Sequence, residues 1–278
     1  NEEINVREII LEYLVHWKWF VVSLCFFLLI GTLVYLKKDR MYNVSTSILI
    51  REKSGSGSGT SGAMGDLESF GLVSTTNNID NEIAVLSSPN LMKQVVDTLN
   101  LHTSYYIDGF FRAVEIYKDC HYAVYLEGTD YDTLNGIIDL KIEKTVSGIV
   151  LSGSFSRYDE VAEIATQNIA LHSIVDLPLG LGKLRIESRQ IEDQLMEDTQ
   201  GHKYLVKILN PSGVARDLSS RVQVSTITKG ASVLRLNVNV LNSKKGLDIM
   251  NTIVRLYNYN NIEENNEISI NTAKFIED

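Results

Sequence analysis

Apolar residues are distributed unevenly along this chain. From Trp19 to Leu36 the sequence WFVVSLCFFLLIGTLVYL holds 18 residues without a charge. As a helix rising 1.5 Å per residue it spans about 27 Å, close to the roughly 30 Å hydrocarbon thickness of a bilayer. Trp17 and Trp19 stand at one end and Tyr35 at the other, where aromatic rings suit a membrane interface. Lys18 precedes the run; Lys37, Lys38 and Arg40 follow it. The pattern predicts a transmembrane helix over 19–36, anchored by Trp17, Trp19, Phe20, Phe26, Phe27, Leu28, Leu29 and Leu36. Its leader carries Glu2, Glu3, Glu8 and Glu12, and KKDR follows the run. A cleaved signal peptide has a short basic leader and a shorter apolar core, so the segment reads as an uncleaved anchor. Residues 1–18 form the juxtamembrane segment, in which Ile4, Ile9, Ile10, Leu11, Leu14 and Val15 predict a short amphipathic helix.

Beyond the anchor the periodicity changes. Tyr42 to Ile50 (YNVSTSILI) is rich in β-branched residues and predicts a strand. Ser54 to Gly62 (SGSGSGTSG) predicts a loop, because it has no apolar surface to bury. Ile79, Ile83, Leu86, Leu91, Val95 and Leu99 recur at helical spacing, and Ser87-Ser88-Pro89 splits them into two helices, Ser88 capping the second with Pro89 in its first turn. Strands are predicted at 112–117, 122–126, 136–142, 148–155, 183–188 and 204–209. Residues 158–173 fit helix and strand equally. A helix is predicted over 214–222, then a strand pair over 223–228 and 232–241 turning at Lys229-Gly230. The second strand alternates through Val233, Leu234, Leu236, Val238 and Val240. Asn242 or Ser243 then caps a helix with a stripe at Leu247, Met250, Val254 and Tyr257, flanked by Ile249, Ile253 and Leu256. The pattern thins over 260–267, resumes at Ile268, Ala273, Phe275 and Ile276, and meets no stop signal at Asp278. The expectation is that a helix continues into a longer chain that crosses the membrane again.

Composition narrows the function classes. The 278 residues are 44% hydrophobic and 22% charged, as in a folded protein, and the net charge of -9 leaves no basic footprint for nucleic acid. Cys25 lies in the apolar run and Cys120 outside it, so no intramolecular disulfide is expected. The five histidines have no metal-ligand spacing. There is no nucleophile elbow and no phosphate-binding loop; GLGK at 180–183 lacks both the upstream Gly and the following Ser or Thr. Asn43-Val44-Ser45 is a glycosylation sequon by pattern. The 13 tyrosines read as sheet and interface residues, although stacked rings also suit sugars. No catalytic residue, cofactor or metal is expected.

The order of parts resembles the chain-length-determinant family of polysaccharide co-polymerases. The matching pieces are the N-terminal anchor, YNVSTSILI, IDNEIAVLSSPNLMKQVVDTLNL (79–101), NPSGVARDLSSRVQV (210–224), GASVLRLNVNVLNSKKGLDIMNTIVRLYNYNN (230–261) and NTAKFIED (271–278). The match covers about the first 100 and the last 70 residues. The middle departs from the short family pattern and is similar to longer members fused to a cytoplasmic tyrosine kinase, whose motifs are not in this sequence. The implied fold class is α+β: one N-terminal transmembrane helix (19–36), a mixed extracytoplasmic domain (37–104 and 210–260), an inserted β-rich domain (105–209) and the start of a long helical arm (261–278).

The resemblance further implies a scaffold in the bacterial inner membrane with its large domain in the periplasm. It implies a ring-like homo-oligomer that works with a polysaccharide polymerase, a lipid-linked glycan and an outer-membrane exporter to set polymer length. Two other classes share some of these features: an export adaptor of the membrane-fusion type, and a periplasmic sensor domain. Lys and Arg counts beside the anchor, two before and three after, lean toward the opposite orientation; long domains translocate largely regardless of such charges. Tyr42, Ile79, Glu82, Leu86, Leu247, Met250, Asn251, Val254 and Tyr257 are the candidate oligomer-interface or structural-motif residues. On the structural reading Tyr42 packs at the base of the domain, Glu82 caps or pairs within its own helix region, and Asn251 makes helix or interface hydrogen bonds.

Overall fold

The computed structural model describes residues 16–50, 75–109, 112–145, 148–158, 160–170, 173–189, 203–227 and 233–277. The predicted helix over 4–15, the Gly/Ser tract at 54–62 and the turn at Lys229-Gly230 lie outside them. The chain divides into two compact units. One is built on the N-terminal helix and includes Gly109–Arg112; the other comprises Met41–Asp108 and Ala113–Asp278.

In the first unit, α1 (Trp17–Lys37) is a 21-residue helix with mean hydropathy 2.4 and no buried residue. Trp17, Trp19, Phe20, Phe26, Phe27, Leu28, Leu29 and Leu36 are all exposed. The helix is apolar on every side and is long and apolar enough to cross a membrane.

The second unit is a mixed α/β structure holding two hydrophobic cores. One sheet has the order β1 (Tyr42–Leu49), β12 (Val233–Val240), β11 (Gln223–Thr226), all antiparallel. Strand β12 lies in the middle and alternates as its sequence demands, with Leu234, Leu236, Val238 and Val240 buried. Helices α2 (Thr75–Leu86), α3 (Pro89–Leu99), α4 (Pro211–Arg221) and α5 (Ser243–Glu277) complete this α/β module. Its core draws on Ile48, Leu86 to Leu101 and Ala215 to Tyr257, together with one outlier, Tyr117. Ser88 accepts from the Leu91 N–H and Pro89 occupies the first turn of α3, which ends on Asn100 in the left-handed region at φ 53°.

The other core lies wholly between Tyr105 and Ile208. A six-stranded antiparallel sheet runs β3 (Ala113–Glu115), β2 (Thr103–Asp108), β10 (Lys203–Ile208), β5 (Ile137–Thr145), β6 (Gly148–Arg157), β7 (Glu160–Ile169); a three-stranded sheet runs β4 (Tyr122–Glu127), β9 (Lys183–Ser188), β8 (Ile174–Asp176). Both sheets contribute to this one core: Ile138, Leu140 and Tyr204 from the larger, Val124, Leu184 and Ile186 from the smaller. Within 158–173 the described residues form the edge strand β7 at Glu160–Ile169, and β2 and β8 are strands the sequence pattern did not single out. The predicted strand at 112–117 is shorter, because Tyr117 turns out of it at φ 48° and carries its ring into the α/β core.

The long helix α5 packs on β1 and β12. Contact is closest at Gly246, where a Cβ would stand 2.7 Å from methyl carbons of both Val44 and Val240. The buried face that results is Ile249, Met250, Ile253 and Tyr257, whereas Leu247 is 54% exposed. The stripe expected from sequence is thus rotated toward its flanking isoleucines. Replacing Gly246 with Leu forces α5 off the sheet; denaturant unfolding in detergent should show a loss of about 1–3 kcal/mol, the usual cost of overpacking, and an unchanged midpoint would refute the tight contact.

Candidate functional site

Two groups of polar side chains of the second unit gather where the two cores meet. The chain enters the β-rich module at 101–103 and leaves it at 208–210. These crossings touch: the Leu209 N–H donates to the His102 carbonyl at 2.9 Å. Two polar ties flank them, each organised by a helix-capping asparagine.

The first tie surrounds Asn210. Its Oδ1 accepts from the Gly213 N–H and so caps α4. Its Nδ2 donates to the carbonyls of Asp132 and Leu134, at 2.8 and 3.2 Å, in the turn that follows β4. Lys93 on α3 reaches the same turn, with its ammonium 3.0 Å from Asp132 and 2.9 Å from Asp97. Ser212 Oγ donates to Asp132 at 3.1 Å. Burial opposes the Lys93 charge, but hydrogen bonds to Asp97 and Asp132 outweigh it and hold its pKa above the usual value. Chiefly through the Lys93 hydrogen bond, the Asp132 carboxyl sits below its ordinary range. His102 is buried beside them. Its ring lies 4.2 Å from that of Tyr131, and its Nδ1 has no hydrogen-bond partner. Burial, aided by the Lys93 charge, lowers its pKa against the pull of Asp97 and Asp132.

The second tie surrounds Asn242. Its Oδ1 accepts from the Lys245 N–H at the start of α5, and its Nδ2 donates to the Glu115 carbonyl at 3.2 Å. Lys245 pairs with the Glu115 carboxylate at 2.5 Å; their side chains are 17% and 4% exposed. Lys244 pairs with Asp119 at 3.1 Å, and Lys118 with Asp248 at 2.6 Å. The Tyr117 phenol also donates to Asp248; burial first, then that carboxylate, raise its pKa and keep it a neutral donor. A cleft of about 180 Å³ opens here, lined by Ser104, Glu115, Asp217, Arg221, Lys245 and apolar neighbours. Its acids and bases are matched, Asp217 with Arg221 and Glu115 with Lys245. The Glu115–Lys245 pair suits fixing one module against the other, whereas Asp217 and Arg221 pair within α4.

The residues singled out from sequence divide by environment. Leu86, Met250 and Tyr257 lie in the core of their own module and are structural. Ile79 and Val254 are partly buried against it. Glu82 does not pair within its own helix: it accepts from the Tyr257 phenol at 2.7 Å, linking α2 to α5. Burial and that carboxylate push the Tyr257 pKa up to about 12. Leu247, Asn251 and Tyr42 are exposed, so Tyr42, expected to pack, keeps 44% of its surface open. Asn43 of the sequon lies on β1 and donates to the Asn239 side chain on β12 at 2.9 Å. Among the described residues no cluster of His, Cys, Asp or Glu could hold a metal ion; Cys25 is exposed and Cys120 is buried. His172 and His202 lie outside the described residues; His121 meets the Tyr204 phenol at 3.1 Å. Sequence reasoning missed Asn210, Glu115 and Lys245. The only local signal was an Asn-Pro pair before a helix, which marks a cap and says nothing of its second hydrogen bond.

No protein-family model matches the chain, and no curated protein matches it.

Two predictions concern this joint. Lys245→Ala strands the Glu115 carboxylate in a buried site and should cost about 3–5 kcal/mol, while Glu115→Gln with Lys245→Met should recover most of it; denaturation of both variants decides. His102 is held neutral when folded and titrates near 6.5 when unfolded. Its contribution is therefore complete above that pH and is lost as pH falls below it through the lower folded value. Stability measured from pH 7.5 to 5.0 should decline in the wild type and decline less in His102→Phe, which keeps a ring and binds no proton. Parallel profiles would refute this assignment. The stability that Asp132 supplies is complete above its ordinary 3.8 and is lost as pH falls below that value.

Proposed function

We propose that this chain is a polysaccharide co-polymerase of the chain-length-determinant type, a non-catalytic scaffold that sets the length and export of a bacterial surface polysaccharide. The observation that carries the reading is the pairing of β1 with β12. The strand that follows the apolar helix lies beside the strand that leads into the 35-residue helix α5, the order of parts on which the resemblance rests. The two Asn-organised ties support it as well, because matched ion pairs at a joint suit a part that works by geometry and not by turnover.

On this reading α1 anchors the chain in the inner membrane and the α/β and β-rich modules stand in the periplasm. Copies assemble as a ring through surfaces that include the exposed Leu247 and Asn251 of α5. The ring holds the polymerase and its lipid-linked glycan and passes polymer to an outer-membrane exporter. Deleting the gene should change the amount or the length distribution of surface polysaccharide on gels, and an unaltered ladder would sink the proposal. Native mass spectrometry of the detergent-solubilised chain should show a closed oligomer; a stable monomer would count against the ring.

A further inference from the structure

The unit built on α1 contains four residues from far along the chain, Gly109–Arg112, on the connection between β2 and β3. There the half-buried Arg112 donates from Nη1 to the Lys38 carbonyl at 2.6 Å, across 74 positions of sequence. Arg112 lines a cleft of about 270 Å³ with Tyr35, Leu36, Lys38, Asp39 and Arg40. Lys37 occupies the last turn of α1. Three cations, Lys38, Arg40 and Arg112, thus line the cleft with one carboxylate, Asp39, at the end of an apolar helix. Basic residues that immediately follow a membrane helix are commonplace; a remote arginine fastened among them is not explained by that rule. The guanidinium has five N–H donors in a planar fork matched to phosphate oxygens, and the Lys38 carbonyl uses one. Tyr35 and Leu36 give the same cleft an apolar wall, as the glycerol and acyl portion of a lipid requires.

We propose that this cleft is a headgroup site for an anionic phospholipid, in which Arg112, with Lys38 and Arg40, holds the phosphodiester in the leaflet at the Lys37 end of α1. The proposal rests on the reading that α1 spans a bilayer. Native mass spectrometry of the full chain in detergent mixed with phosphatidylglycerol or phosphatidylcholine tests it. The wild type should retain phosphatidylglycerol over phosphatidylcholine. Arg112→Gln should lose about fivefold in that affinity, the weight of one basic residue at an anionic surface. Arg112→Lys should fall between, and Lys207→Gln, on an exposed strand position, should match the wild type. Equal adducts on wild type and Arg112→Gln would overturn the site, as would displacement of the lipid by inorganic phosphate at equal concentration. A chain that stays in the aqueous fraction without detergent overturns the membrane reading and the site together; an integral chain with unaltered adducts overturns the site alone.

Discussion

The pairing of β1 with β12 is the constraint on which the second unit depends. Eight residue pairs, from Tyr42 against Val240 to Leu49 against Val233, join segments separated by most of the chain. Closing so long a loop is unfavourable, but the cost grows only with the logarithm of length, each doubling adding about 0.6 kcal/mol. Once formed, the pair gives β12 its central place, presents Leu234, Leu236 and Val238 to the helices, and sets Val44 beside Val240 as the seat for Gly246. The α/β core has no foundation without it.

The second constraint is angular. α5 is one helix of 35 residues, about 52 Å long at 1.5 Å per residue. Its first turn carries the Asn242 cap and the Lys244 and Lys245 pairs, and its last buried residue among those described is Tyr257. Beyond Asn261 every described side chain is exposed. The direction of the exposed part is therefore set by contacts along the first half of the helix, from the Asn242 cap to Tyr257 and Asn260. A buried ion pair is a poor source of net stability, yet it penalises misplacement heavily, because either partner alone is a buried charge. Glu115 with Lys245 is suited to defining an angle in a way that an apolar contact, tolerant of sliding, is not.

What could be read in advance follows from how local each signal is. The alternation of Val233 to Val240 and the Ser88-Pro89 break are written in neighbouring residues, and both elements lie where their patterns indicate. β2 carried no such signature: Ser104 and Tyr105 are both buried, one toward the joint and one toward the β-rich core, so the period of two is lost. β7 was ambiguous because an edge strand with one buried residue, Ile164, needs no alternation. The α5 stripe was displaced because Gly246, not the apolar count, decides which side meets the sheet. The joint was the least visible part. Glu82 with Tyr257, and Asn210 with the Asp132 turn, are partnerships across 175 and 78 positions, and no local pattern records them.

The touching crossings at His102 and Leu209 have a topological corollary. β2 and β10 are antiparallel neighbours, with Thr103 opposite Ile208. Seen from the α/β module, the hundred residues between them have the boundary conditions of a hairpin: two adjacent strands that depart together and return about one strand spacing apart. A tight turn there and an entire second core pose that module the same geometric problem. Closure alone leaves the length of the intervening chain open, whereas its content is bound to the frame at Glu115, Tyr117 and Asp132.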